Sequence, residues 1–244
     1  PAAVVSLARY CRLCVCFSMS STCIFCDAYG DRRVLHAPLR RQRTMCIIDS
    51  HNPTGADLTN EQWQVVLELA QKTGFIPFVD TAYQGFGDGL EEDAFGMRLL
   101  VNNLPEVIIA ASCSKNFGLY RERVGIAVMV TENSATRQAI QSQIQSIARG
   151  IYSMPPSYGG ALVDIILNDE TLRHEWMAEV EAMRCRMQDL RSLLVSKMNE
   201  YGSSKDFEFV KKQKGMFSFL CITPEQVQAV RDQHSVYFVG SIRV

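Results

Sequence analysis

The feature that most limits how this chain can fold is a recurring short apolar run, closed each time by a polar cluster. "MCIID" (45–49), "GFIPFVD" (74–80), "EVIIAA" (106–111) and "GIAVMV" (125–130) each have the length and β-branched content of a buried strand. The Asn-Pro and Gly of "HNPTG", directly after the first run, require a turn. "TNEQ", Thr59 to Gln62, has capping-box spacing and opens an amphipathic helix through Trp63, Val66, Leu67 and Ala70. Strands separated by helical segments predict an α/β fold with a largely parallel sheet. At 244 residues, 47% hydrophobic and 21% charged, the chain has room for one large or two modest domains.

Farther on, "NSATRQAIQSQIQSIARG" reads as a polar helix with apolar positions at Ile140, Ile144 and Ile147. A longer helix starts near Asp169. Its apolar residues Leu172, Trp176, Val180, Met183, Met187, Leu190 and Leu194 step by three or four, a stripe expected to be core packing. A helix of this length suits a connector between domains. Three strand-like segments follow, "FEFV", "GMFSFL" and "VYFVGSIRV". The expected organisation is a leader over 1–44, a large domain over 45–182 and a small one over 183–244.

The leader stands apart in charge and in cysteine content. Residues 1–44 hold seven arginines and two aspartates, a balance of +5, against −6 for the remaining 200 residues. Nothing on the main body predicts a nucleic-acid surface. Six of the nine cysteines fall at Cys11, Cys14, Cys16, Cys23, Cys26 and Cys46. Cys11, Cys14, Cys23 and Cys26 have a spacing from which four thiolates could hold zinc. The Arg-rich, acid-poor composition also fits a targeting leader, or sequence foreign to the rest of the chain. No apolar stretch approaches the ~18–20 residues of a membrane span. The body is expected to be cytoplasmic, with an organelle left open.

Functional chemistry collects where the strands end. His51 and Asn52 follow the first run. Asp80 ends the second, with Tyr83 three residues on, and Ser112, Ser114 and Lys115 follow the third. In an open parallel sheet the carboxyl ends of the strands line the ligand crevice. Amide, carboxylate, phenol, hydroxyl and amine thus converge on one edge, and an amine beside a carboxylate is what pyridoxal 5′-phosphate requires.

"HNPTGADLTNEQW", "FVDTAYQGFGDGLEEDAF" and "SCSKNFGLYRERVG" resemble the class I pyridoxal-phosphate aminotransferases, in particular the aspartate and aromatic amino-acid aminotransferases. "IARGIYSMPPSYGG", "KQKGMFSF" and "SVYFVGSIRV" fit the same family in the same order, so the likeness runs from about residue 45 to 244. It implies a fold-type I transferase with an incomplete large domain and a partial small α+β domain. It also implies transfer of an amino group from an L-amino acid to 2-oxoglutarate.

By the same resemblance, Lys115 forms the Schiff base with the cofactor and then moves the substrate proton, while Asp80 pairs with the pyridine nitrogen. Tyr83 and Asn52 match the groups that bond the cofactor's phenolic oxygen, and Ser112 and Arg123 match phosphate contacts. Arg243 matches the arginine that binds the substrate's α-carboxylate. Arg149, with Ser153 nearby, matches one that reaches the distal carboxylate in a neighbouring subunit's site, which implies a homodimer with shared active sites.

The family has a long segment before "HNPTG" that supplies further strands, a ring stacked on the cofactor and a helix-end phosphate loop. Residues 1–44 resemble none of it, so the chain is expected to be incomplete at both ends. The alternative reading is a non-catalytic binding module carrying a Cys-bound metal near its N-terminus.

Overall fold

The computed structural model describes residues 14–18, 44–49, 54–154, 156–203 and 205–238. The chain divides into two compact units, one of Pro1–Ile48, Asn60–Ala82 and Phe95–Trp176, the other of Asp49–Thr59, Tyr83–Ala94 and Met177–Val244.

The first unit is built on a five-stranded sheet of order β1-β5-β4-β3-β2, where β1 is Cys14–Ser18, β2 Thr44–Asp49, β3 Ile76–Thr81, β4 Val107–Ser112 and β5 Val124–Val130. Strands β3 and β4 pair in parallel, with Phe78 opposite Ile108 and Asp80 opposite Ala110. β5 runs against both β4 and β1. The expected α/β class and mainly parallel direction hold, since β1, β3 and β4 all point one way. The reversal at β5 follows from its connection: residues 113–123 contain no helix, and a parallel crossover needs a dozen or more residues. β1 lies within the leader, where no strand is legible in the sequence.

Helix α1 (Asn60–Thr73) buries Trp63, Leu67 and Ala70, spaced four and three apart, as the sequence pattern predicts. Helix α2 (Phe95–Asn103) packs against α1 so closely that a Cβ on Gly96 would come 2.2 Å from the Trp63 indole. Beneath them Val79, Leu100, Val107 and Val128 are essentially sealed from solvent. At roughly 1.5–3 kcal/mol for each large apolar side chain, this layer dominates the stability of the sheet. Helix α3 (Ser134–Ile151) starts where Asn133 Oδ1 accepts the Thr136 N–H at 2.8 Å, and α4 (Tyr158–Asn168) follows it.

Helix α5 (Glu170–Glu200) has 31 residues, as its periodicity predicts, but its stripe is not uniformly core. Val180 is buried, whereas Leu172, Met183 and Leu190 are more than a third exposed. The buried line passes instead through Val195 and Arg191. In the second unit Val195 packs with Phe207, Val210 and Leu220. That cluster also corrects the strand expected at "FEFV", which is a single helical turn, α6 (Glu208–Lys211). Phe207 and Val210 are both buried, three residues apart, and the Val210 N–H donates to Phe207 O at 2.9 Å. A strand would have turned those two side chains to opposite faces. "GMFSFL" contributes only an isolated bridge at Phe219. Helix α7 (Pro224–His234) opens with a reciprocal capping box between Thr223 and Gln226 and has Pro224 in its first turn. The end of "VYFVGSIRV" lies outside the described residues.

Among the described residues no helix is long and apolar enough to cross a membrane, and no group of three or more His, Cys, Asp or Glu could hold a metal ion. Cys11, Cys23 and Cys26 of the leader lie outside the described residues.

Candidate active site

Along β3 the burial alternates. Pro77, Val79 and Thr81 point into the sealed layer, while Ile76, Phe78 and Asp80 share the less covered face. Directly paired residues lie on the same side of a sheet, so Asp80 continues across it into Ala110 and then Ala127. One step on, Ser112 is paired with Gly125. The side chains beside Asp80 are therefore small, and Gly125 has none because none fits: a Cβ there would sit 2.5 Å from Ala111 O.

Lys115 rides in the turn that begins where β4 stops. Ser112 Oγ accepts the Ser114 N–H at 3.1 Å, and the Cys113 N–H donates to Val124 O at 3.0 Å, which carries the ladder one residue past the strand. The Gly118 N–H then donates to Lys115 O at 3.0 Å. Ser114 and Asn116, on either side of Lys115, are buried, which leaves the lysine half-buried.

Burial sets the electrostatics of this face. It pushes the Asp80 carboxyl above its ordinary range, partly offset by the Lys115 charge. It pushes the Lys115 amine down. Asp80 opposes that shift and the Arg123 guanidinium adds to it. A carboxyl that releases its proton late and an amine that releases it early are therefore coupled, beside an arginine. Perturbed pairs of this kind concentrate at functional sites. Arg123 adopts the left-handed backbone region (φ 51°) just before β5, and its Nη1 donates to Tyr120 O at 3.1 Å. For a non-glycine residue that conformation is costly and recurs where function demands it.

Of the residues expected from sequence, Asp80, Lys115 and Arg123 are brought together, and Ser112 shapes the turn between them. Arg149, in the last turn of α3, donates through Nη1 to Ser153 Oγ at 3.0 Å, and Ser153 is also left-handed (φ 64°). Tyr83 belongs to the second unit, where it is buried with its ring edge-on to Phe217, centroids 6.4 Å apart at 86°. Asn52 and Arg243 lie outside the described residues.

Two local arrangements, one in each unit, have no counterpart in the sequence reading. Asp93 organises the loop after Tyr83 by accepting N–H groups from Gly85, Gly87 and Asp88 at 2.8–2.9 Å, with Gly85 and Gly89 supplying positive φ. Three glycines around a run of acids, "GFGDGLEED", were the available signal. Trp176, assigned by its spacing to a core stripe, instead donates its indole N–H to Asn116 O, beside Lys115. No local pattern announces a contact made across 60 residues of chain.

The fold and this strand-end cluster are those of a fold-type I α/β protein. The model of the family "Aminotransferase class I and II" matches residues 26–244, and the chain belongs to that family. It is 47% identical over 194 residues to an aromatic-amino-acid aminotransferase of Paracoccus denitrificans and 47% identical to an aspartate aminotransferase of Escherichia coli K12. In each case 80% of this chain is covered and 49% of the relative. Among solved structures, the aromatic-amino-acid aminotransferase of Burkholderia pseudomallei covalently bound to pyridoxal phosphate is 37% identical with a TM-score of 0.80, covering 82% of this chain and 51% of that one. The chain spans about half the length of the curated relatives it matches.

Proposed function

We propose that this chain carries the chemical half of an aspartate or aromatic amino-acid aminotransferase, which moves an amino group from an L-amino acid to 2-oxoglutarate with pyridoxal 5′-phosphate. The observation that carries the reading is the gathering of Asp80 on β3, Lys115 in the turn after β4 and Arg123 at the start of β5, on adjoining strand ends where each charge acts on Lys115. This donor set fits the cofactor group by group: an amine for its aldehyde, a carboxylate for its ring nitrogen and a guanidinium for its phosphate. When bound, the cofactor supplies a ring able to take up the electron pair left on the substrate's Cα.

The protein's residues do the rest. Lys115 Nζ is the atom that would hold the cofactor's aldehyde carbon and, when not so engaged, would take and return the substrate's Cα proton. Burial and the neighbouring Arg123 lower its proton affinity below that of an exposed lysine, against the pull of Asp80, which favours its use as a base. Asp80 holds the proton of the ring nitrogen by charge-assisted bonding. Ser112 Oγ and Arg123 anchor the phosphate, and Tyr83 and Asn52 take the ring oxygen. Arg243 receives the α-carboxylate. Arg149, set by Ser153, serves the distal carboxylate of a substrate bound in a second copy's site, so the working form is a homodimer. In this reading residues 45–182 are a partial cofactor-binding domain and 183–244 a partial small domain.

Incubation of the chain with pyridoxal 5′-phosphate, 15N-labelled aspartate and 2-oxoglutarate tests the proposal. The expected result is 15N-glutamate, lost in Lys115→Ala. A folded chain that carries the cofactor at Lys115 but forms no labelled glutamate refutes it.

A further inference from the structure

The segment that presents Lys115 is held from one further place in the first unit. Trp176, in the opening turns of α5, donates its Nε1–H to Asn116 O at 2.7 Å. The same indole stacks on Phe117, with ring centroids 4.4 Å apart and planes 13° from parallel. Two contacts of different kinds thus fix the two residues that follow Lys115. Asn116 and Phe117 directly follow the amine-bearing residue, so a shift at either acts as a pivot in the segment between the Ser112 Oγ contact and the Gly118 N–H bond to Lys115 O. A pivot there moves Nζ relative to Asp80 and Arg123.

We propose that Trp176 is a positioning residue for Lys115, clamping Asn116 by a hydrogen bond and Phe117 by stacking so that Nζ stays in register with Asp80. The consequence for catalysis rests on the aminotransferase reading, whereas the clamp rests on geometry alone. The indole N–H finds its acceptor in the backbone of the residue after Lys115, so satisfying this donor also ties that backbone to the helix. The function of the clamp is to keep the amine half-buried, the condition that holds its proton affinity down.

The test reads Lys115 in the cofactor-free chain, by acetic anhydride labelling as a function of pH with peptide-level mass spectrometry and exposed Lys197 as internal standard. Trp176→Phe keeps a ring for stacking and removes the donor, and Trp176→Ala removes both. The expected result is that Lys115 in Trp176→Phe requires higher pH to react, its labelling near pH 8 falling relative to Lys197 as the amine loses burial. Trp176→Ala is expected to move it further. Circular dichroism establishes that each variant is folded, and if Trp176→Ala is not, Trp176→Phe decides. An unchanged Lys115 profile in folded Trp176→Phe overturns the proposal. In a parallel arm, wild-type chain is treated with pyridoxal 5′-phosphate and borohydride. Absence of cofactor on wild-type Lys115 refutes the aminotransferase reading, while the labelling shift still decides the clamp.

Discussion

Gly125→Ala perturbs the tightest point of the strand-end cluster. Gly125 pairs with Ser112, and the added Cβ would lie 2.5 Å from Ala111 O, with Ser112 Cα at 3.3 Å and Ala111 C at 3.4 Å. Ordinary contact begins near 3.4 Å, so the oxygen is about 0.9 Å too close. Every obstructing atom is backbone, and no rotamer can relieve the clash. Strands β4 and β5 must separate locally, which strains the Cys113 N–H bond to Val124 O that launches the Lys115 turn. Overpacking costs about 1–3 kcal/mol, and a weakened ladder bond adds about 0.5–1.5 kcal/mol, so a loss of about 2–4 kcal/mol is expected. Urea unfolding followed by tryptophan fluorescence measures it. Both tryptophans, Trp63 and Trp176, are in the first unit, so the signal reports the unit that carries the sheet. With a slope of ~2 kcal/mol per molar, the midpoint should fall by about 1–2 M. A midpoint within about 0.25 M of wild type would refute the close packing of Gly125 on Ala111.

The remaining expectations concern charge and loop geometry. Burial raises the Asp80 carboxyl, so between the ordinary value of 3.8 and the raised one the folded state holds a proton that the unfolded state has lost, and stability falls as pH rises. Asp80→Asn should flatten the pH–stability curve over that window, as denaturant titrations at several pH values would show. Lys115 works in the opposite sense: between its lowered value and 10.5 only the unfolded state holds the proton, so stability rises with pH, a slope that Lys115→Met should remove. Asp93→Ala leaves the amides of Gly85, Gly87 and Asp88 without their acceptor and should cost about 3 kcal/mol or more, with hydrogen exchange accelerated first at those three amides. Arg149→Leu is expected to lower kcat/KM for aspartate at least tenfold more than for phenylalanine, because charge-assisted bonds of about 1.5–3 kcal/mol serve only a dicarboxylate. Equal losses for the two substrates would remove that role from Arg149.

How much of this was legible in the sequence depended on how local the signal was. The strands at 76–81, 107–112 and 124–130 were readable because β-branched runs bounded by polar residues have few other solutions, which also placed Asp80 at the end of one strand and Lys115 in the turn after another. The direction of β5 was not, since pairing sense lies in the brevity of the 113–123 connection and not in the strand's composition. "FEFV" misled because Phe207, Phe209 and Val210 satisfy a period of two and a period of three over so short a span, and packing on Val195 and Leu220 chose the helical turn. The long helix was plain, but a stripe records only which positions are apolar. Arg191 replaced them in the buried line because its guanidinium finds Ser218 Oγ at 3.0 Å and Gly215 O at 2.6 Å. Trp176 likewise looked like one more core residue until its partner was visible.

The central claim is that Lys115, set against Asp80 and Arg123, is the amine that holds the cofactor. The most direct measurement adds pyridoxal 5′-phosphate to the purified 244-residue chain, follows the visible absorbance, fixes the product with borohydride and maps the modified peptide. A visible band whose reduced product lies on Lys115, and which is absent in Lys115→Ala, is the predicted result. Label spread over exposed lysines, or a band that persists in Lys115→Ala, would contradict it.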